Sequence, residues 1–256
     1  MTLKKTIWIC SLIMISIFVI FVNGCKKVNE NNSLNSTPTL TVSDFDGNIY
    51  NTVTIGTQVW MVENLKTTKY RNGDLIGTTT PATLDITSEN EPKYQWACNG
   101  IEDSVATYGR LYTWYAVTDS RNICPIGWHL PTDIEWTTLE NYLIANGYNY
   151  DGTTTGNNIA KSMAALANWL SSTVTGSVGN TDYPSYRNKS NFTALPAGYR
   201  NSAGAFLNIG ISDDWWTSTE SSSSNAWFRN LYNIYSDVFR DNYAKNTGFS
   251  VRCLKD

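Results

Sequence analysis

Histidine is nearly missing from this chain: His129 is the only one in 256 residues. That excludes a metal centre built from several imidazoles, and any Ser–His–Asp arrangement would have to pass through this one ring. The sequence has neither a Gly-x-Ser-x-Gly elbow nor a glycine-rich phosphate loop ending in Gly-Lys-Ser/Thr, so it offers no hydrolase or nucleotide signature. Charge is scarce as well, with 16% Asp, Glu, Lys and Arg and a net charge of −3. No basic stripe is present, which argues against a nucleic-acid partner. Aromatic residues are plentiful instead. Ten Trp, fifteen Tyr and eight Phe suffice to fill a core and to leave stacking surface outside it.

The N-terminus is organised for export. Lys4 and Lys5 precede an apolar run over residues 7–22, broken only by Ser11 and Ser16 and followed by Asn23-Gly24-Cys25. A small residue directly before cysteine at the end of such a run resembles a bacterial lipobox. It implies that residues 1–24 are a lipoprotein signal peptide and that Cys25 is acylated, leaving the mature protein anchored to a membrane rather than spanning it. The expected location is the cell envelope, as an outer-membrane lipoprotein facing the periplasm or exposed on the surface. Residues 25–40 are polar, rich in Asn and Ser, and read as a flexible tether. Residues 41–256 are then expected to form a single domain.

Cys98, Cys124 and Cys253 follow Cys25 in the mature chain. In an oxidising compartment the simplest arithmetic is one disulfide and one free thiol, with three pairings open.

Asp46-Gly47-Asn48 forms a turn, after which alternating runs at 49–55 and 58–65 flank Gly56-Thr57 and predict a β-hairpin. Residues 67–91 read as loops with a short strand near Leu75, and 94–96 as another strand. Within 109–118, Leu111, Trp114, Tyr115 and Thr118 fall at i, i+3, i+4 and i+7, which predicts a short amphipathic helix. Thr132 is a good N-cap, and Glu135 completes a capping box. The helix that follows should bury Trp136, Leu139, Tyr142 and Leu143 and stop at Gly147. A third helix is expected over 158–169, with Ile159, Met163 and Leu166 inward. Residues 170–190 read as loop. The period then switches to two, with strands expected at 205–209, 215–219, 226–231, 238–240 and 249–254. In the last of these, Phe249, Val251 and Cys253 share one face. The class is α+β: an N-terminal hairpin, two to three short helices, and short antiparallel strands in the C-terminal half.

The densest stretch is Cys124-Pro-Ile-Gly-Trp-His-Leu-Pro-Thr-Asp-Ile-Glu-Trp136. Together with Ile55-Gly-Thr-Gln-Val-Trp-Met-Val-Glu-Asn-Leu65, Tyr108-Gly-Arg-Leu-Tyr-Thr-Trp114, Leu195-Pro-Ala-Gly-Tyr-Arg200, Trp216-Thr-Ser-Thr-Glu220 and Ser250-Val-Arg-Cys-Leu-Lys-Asp256, it resembles the Fibrobacter succinogenes major paralogous domain. That family is typical of lipoproteins and secreted proteins, and its biochemical role is largely unassigned. More distantly, His129-Leu-Pro-Thr-Asp-Ile-Glu-Trp136 is similar to the Arg-Leu-Pro-Thr-Glu-Ala-Glu-Trp signature of formylglycine-generating (sulfatase-modifying) enzymes. The closing Gly248-Phe-Ser-Val-Arg-Cys253 is similar to their Gly-Phe-Arg ending. The resemblance implies a C-type-lectin-like fold, with the two chain ends paired and a long irregular region between them. Cys124 and Cys253 lie inside motif blocks and Cys98 does not, so the resemblance also implies a Cys124–Cys253 disulfide. The related enzymes depend on a close pair of C-terminal cysteines for copper and oxygen chemistry. Only Cys253 lies in that region here, so their activity does not carry over with the fold.

His129, at a loop-to-helix junction beside Trp128, reads as a structural hydrogen-bonding residue. Asp133 and Glu135, two apart at a helix start, point differently and suit the helix dipole rather than an acid–base pair. Asp213-Asp214-Trp215-Trp216 could ligate calcium, or bind a sugar beside an aromatic platform. The plainer reading is a polar loop entering a strand whose tryptophans fill the core. The lectin-type calcium motifs Glu-Pro-Asn and Trp-Asn-Asp are absent from the sequence. If a ligand cleft exists, Asp213, Asp214, Trp215, Arg200 and Glu220 are the residues expected to converge on it. The expected function is a lipid-anchored binding or adhesion module without catalytic activity, recognising a glycan or a surface protein and needing no cofactor other than calcium, should the acid pair hold it. The alternatives are an enzyme of the extended formylglycine-generating superfamily and a structural subunit of a surface assembly.

Overall fold

The computed structural model describes residues 40–256, so the expected signal peptide, Cys25 and the expected tether up to residue 39 lie outside the described residues. In chain order come β1 (Thr41–Ser43), β2 (Ile49–Ile55), β3 (Gln58–Met61), β4 (Gln95–Ala97), α1 (Val105–Tyr108), β5 (Arg110–Tyr112), α2 (Trp114–Val117), β6 (Trp128–His129), α3 (Asp133–Ala145), α4 (Ala160–Met163), β7 (Tyr199–Arg200), β8 (Phe206–Leu207), β9 (Ser212–Glu220), β10 (Asn225–Tyr232), β11 (Phe239–Ala244) and β12 (Leu254–Lys255). The architecture is mixed α and β: small, mostly antiparallel sheets with a few short helices. No helix among the described residues is long and apolar enough to cross a membrane.

The largest sheet has the order β1-β2-β3-β12-β6, so the last strand lies between the opening hairpin and the Trp128–His129 strand. Leu254 is opposite Trp60 on one side and His129 on the other. Gly56, at φ +62°, turns β2 into β3, and a side chain there would strike the Tyr142 ring. Cys124 and Cys253 form a disulfide with Cα atoms 5.9 Å apart and a sequence separation of 129. Closing so long a loop restricts the unfolded chain and typically contributes about 2–4 kcal/mol. Phe249, Val251 and Cys253 are buried in one cluster, as their alternation predicts.

The capping box forms as expected. The Thr132 hydroxyl accepts from the Glu135 amide at 3.2 Å, and the Glu135 carboxylate accepts from the Thr132 amide at 2.7 Å. Gly147 follows α3 in the left-handed region. Trp136, Leu139 and Leu143 are fully buried, whereas Tyr142 is 38% exposed because it covers Gly56 at the edge of the core. Trp136 joins Trp60, Phe192 and Trp215 in an aromatic cluster with centroid separations of 4.8–5.9 Å.

Two expected helices are much shorter than their patterns suggest. Residues 110–112 form β5, pairing with β4, and only Trp114–Val117 is helical. All three β5 residues are buried, and an apolar run buried on both faces looks the same in sequence whether it is strand or helix. Gly109, at φ +76°, packs its backbone against Asn64 and Leu65 so closely that a Cβ would lie 2.8–2.9 Å from them, which sets the start of this strand. Over 158–169 only α4 forms. Ala164 leaves it in extended conformation and bridges to Ala194, and Leu166 is 80% exposed rather than inward.

The hairpin stops at Met61, and the backbone continues irregularly, with Leu65 donating to Val251. β9, β10 and β11 form a second antiparallel sheet, in the order β11-β10-β9, with a bulge between Ala226 and Phe228. The stretch expected as a strand at 249–254 pairs piecemeal with Tyr112, Asp214 and Trp60 before becoming β12.

Candidate functional site

The Cys124–Trp136 segment is held from three sides. Arg71 donates to the carbonyls of Cys124 (2.6 Å), Pro125 (2.8 Å) and Trp128. His129 places Nδ1 2.7 Å from Asp256 and Nε2 3.0 Å from Glu135, tying the last residue to the capping box. Both ring nitrogens are engaged structurally. Asp133 and Glu135 do diverge. While Glu135 faces its own N-cap, Asp133 reaches the second sheet, pairing with Arg229 at 2.6 Å and Arg240 at 2.8 Å.

Asp213, Asp214 and Trp215 lie within β9 rather than in a loop before it, and all three are buried. Asp213 accepts from Asn64 Nδ2 at 3.1 and 3.3 Å. Burial drives its carboxyl well above the usual range, against the pull of Arg252 and Asn64. Asn64 Oδ1 in turn accepts from Trp215 Nε1 and Arg252 Nη2, each at 2.9 Å. Arg252 is lowered to about 10 by burial, lies 4.2 Å from the Phe192 ring, and donates to the Phe192 carbonyl. These groups form an interior polar hub packed against the tryptophan cluster.

Asp214 points to the other face of the same strand. Ser212 Oγ donates to it at 2.7 Å and Asn230 Nδ2 at 3.1 Å, and burial pushes its carboxyl up to about 6. Arg200 is fully buried, stacked 4.0 Å from Trp96, and donates to the carbonyls of Ala82 (2.9 Å), Asn201 (2.9 Å) and Leu84, thereby pinning the 81–86 loop. Glu220 is exposed at the opposite end of β9 from Asp213 and pairs with Lys245 at 3.0 Å. The structure therefore does not gather these five residues around one open cleft. Among the described residues no group of three His, Cys, Asp or Glu side chains is placed to hold a metal ion.

An open, aromatic-rich surface lies on the second sheet. Phe228, Asn230 and Tyr232 of β10 alternate onto the same face as Phe239, Asp241 and Tyr243 of β11. All of these except Tyr243, together with Tyr235, bound a groove of about 370 Å³. Ring centroids step from Tyr232 to Tyr235 (6.0 Å) and on to Phe239 (4.9 Å). Farther along the face Tyr243 meets Tyr199 at 6.2 Å and borders a polar hollow of about 520 Å³ with Asn201, Asn225 and Asn242. Another hollow, of about 480 Å³, lies between β1 and the disulfide. Asn64, Arg252 and Asn230 were not singled out by the sequence. The available signal for Asn230 was the period-two alternation of aromatics around it.

Fold and surface together define, among the described residues, a disulfide-closed α and β domain with a buried polar hub and an open aromatic sheet face. The family model of the Fibrobacter succinogenes major domain matches residues 53–255, and the chain belongs to that family. No curated protein and no solved structure shows significant similarity to it.

Proposed function

We propose that the chain is a lipid-anchored binding module of the cell envelope, held by acylation at Cys25 and without catalytic activity, whose ligand is a glycan or a surface protein. The observation that carries this reading is the contrast between its polar groups. Asp213, Asp214, Arg200 and Arg252 are buried and hydrogen-bonded inside the domain, while an aromatic groove is left open on the second sheet. Exposed aromatic grooves with a few convergent polar groups are characteristic of ligand sites.

In the same reading the domain is C-type-lectin-like and distantly related to the formylglycine-generating enzymes. The pairing of β12 beside the opening hairpin and the shared Leu-Pro-Thr segment support this. The enzyme alternative is disfavoured because Cys253, the cysteine nearest the related catalytic pair, is bonded to Cys124. The assembly alternative would need an apolar open strand edge. Instead β11, an outer strand of its sheet, carries Arg240, Asp241 and Asn242 at its centre, residues that discourage edge pairing.

The test is a binding and turnover screen on the full-length chain in detergent, with intact-mass analysis for acylation at Cys25. Reversible binding without turnover and a diacyl or triacyl mass increment are expected. Turnover of any substrate would rule out the non-catalytic reading, and an unmodified Cys25 in protein purified from its own membranes would rule out the anchor.

A further inference from the structure

We propose that the β10–β11 groove binds a neutral glycan, stacking sugar rings on Tyr235 and Phe239 and taking a hydroxyl hydrogen bond at Asn230 Oδ1. This rests on the binding-module reading and names its ligand class and its site. Asn230 is only 8% exposed, yet its Oδ1 has no hydrogen-bond partner in the protein. Its orientation is not free. A carboxylate can only accept, so Asp214, itself fixed by Ser212, holds the Asn230 NH2 toward itself and leaves the carbonyl oxygen of this groove-lining residue buried and unused. A buried acceptor without a partner is costly, and a ligand hydroxyl that parts the side chains covering it removes that cost.

The walls select the ligand further. Tyr235 is 44% exposed, and Tyr232, Tyr235 and Phe239 line the groove with ring faces and edges. Pyranose rings offer apolar C–H faces to such rings and hydroxyl donors at their edges. Charge works against an anion. The one cation at the groove, Arg240, has Nε and Nη2 on Asp133 at 2.8–3.1 Å, and its guanidinium lies 3.5 Å from the Trp227 ring. The rim carries the exposed carboxylate of Asp241. A proline-rich peptide would stack on the same aromatics, but proline has no N–H for Asn230.

The experiment titrates the full-length chain in detergent micelles with cellohexaose, xylohexaose, mannohexaose and maltohexaose, with hexagalacturonate as the anionic arm and decaproline as the peptide arm. At least one neutral hexasaccharide is expected to bind. Tyr235→Ala should weaken it about tenfold and Asn230→Ala severalfold, while Tyr235→Phe keeps most of the affinity. The thermal midpoint of Tyr235→Ala should match the parent, which separates loss of contact from loss of fold. Glycan binding that survives both alanine variants would overturn the site while leaving the binding module standing. Preference for hexagalacturonate or decaproline would overturn the ligand class, and binding of none of the six probes would overturn the proposal altogether.

Discussion

The two faces of β9 use similar residues to opposite ends. On one, Asp213 meets Asn64, which also holds Trp215 and Arg252, and every polar atom of this hub turns inward against the tryptophan cluster. On the other, Asp214 meets Asn230, whose remaining oxygen has no partner and which lines an open aromatic groove. One acid–amide pair closes a network and the other ends in an unused acceptor. A completed polar network specifies a core, whereas an incomplete one beside exposed rings has the form of a recognition site.

The largest loss of stability is expected at the hub. Arg252→Ala leaves Asn64 and the Phe192 carbonyl short of a donor in the interior, and is expected to cost about 3–5 kcal/mol in denaturant unfolding. A loss below 1 kcal/mol would mean that the hub does not hold the core. Cys124→Ser with Cys253→Ser should cost about 2–4 kcal/mol in the same assay, and reducing agent should reproduce that loss in the parent.

Asp214 gives a pH test of the other face. Its folded carboxyl titrates near 6 while an unfolded aspartate titrates near 3.9, so its contribution to stability is full below the unfolded value and is lost as pH rises through about 6. Asp214→Asn escapes that loss. Relative to the parent, the variant should gain up to about 3 kcal/mol between pH 4 and pH 7, and a pH-independent difference would contradict the burial of this acid. Smallest of all, Tyr235→Ala should change stability by less than about 0.5 kcal/mol, because the ring is half open and lines the groove rather than the core.

Much of the frame was legible in the sequence because its signals are local: the Gly56 turn, the Thr132–Glu135 capping box and the alternation around Phe228 and Val251. Arg110–Tyr112 misled because burial on both faces erases the period that separates strand from helix. Leu166 misled because apolar spacing continues past Ala164, where the backbone turns to meet Ala194 instead. The candidate site was harder still. Asp213 and Asp214 look like a solvated acid pair until their partners are known, and Asn64 lies 149 residues from Asp213. The plainer reading of the tryptophans was sound, since Trp215 and Trp216 are both fully buried. The local alternation places Asn230 on a sheet face but not its role, which comes from its pairing opposite Asp214 across the sheet.

Hydrogen exchange of the full-length chain with and without its best-binding neutral hexasaccharide distinguishes the two faces of β9. Added protection is expected to be confined to residues 228–243, with no change at 213, 215 and 252. Protection centred on Asp213, Trp215 and Arg252, with residues 228–243 unchanged, would contradict that expectation.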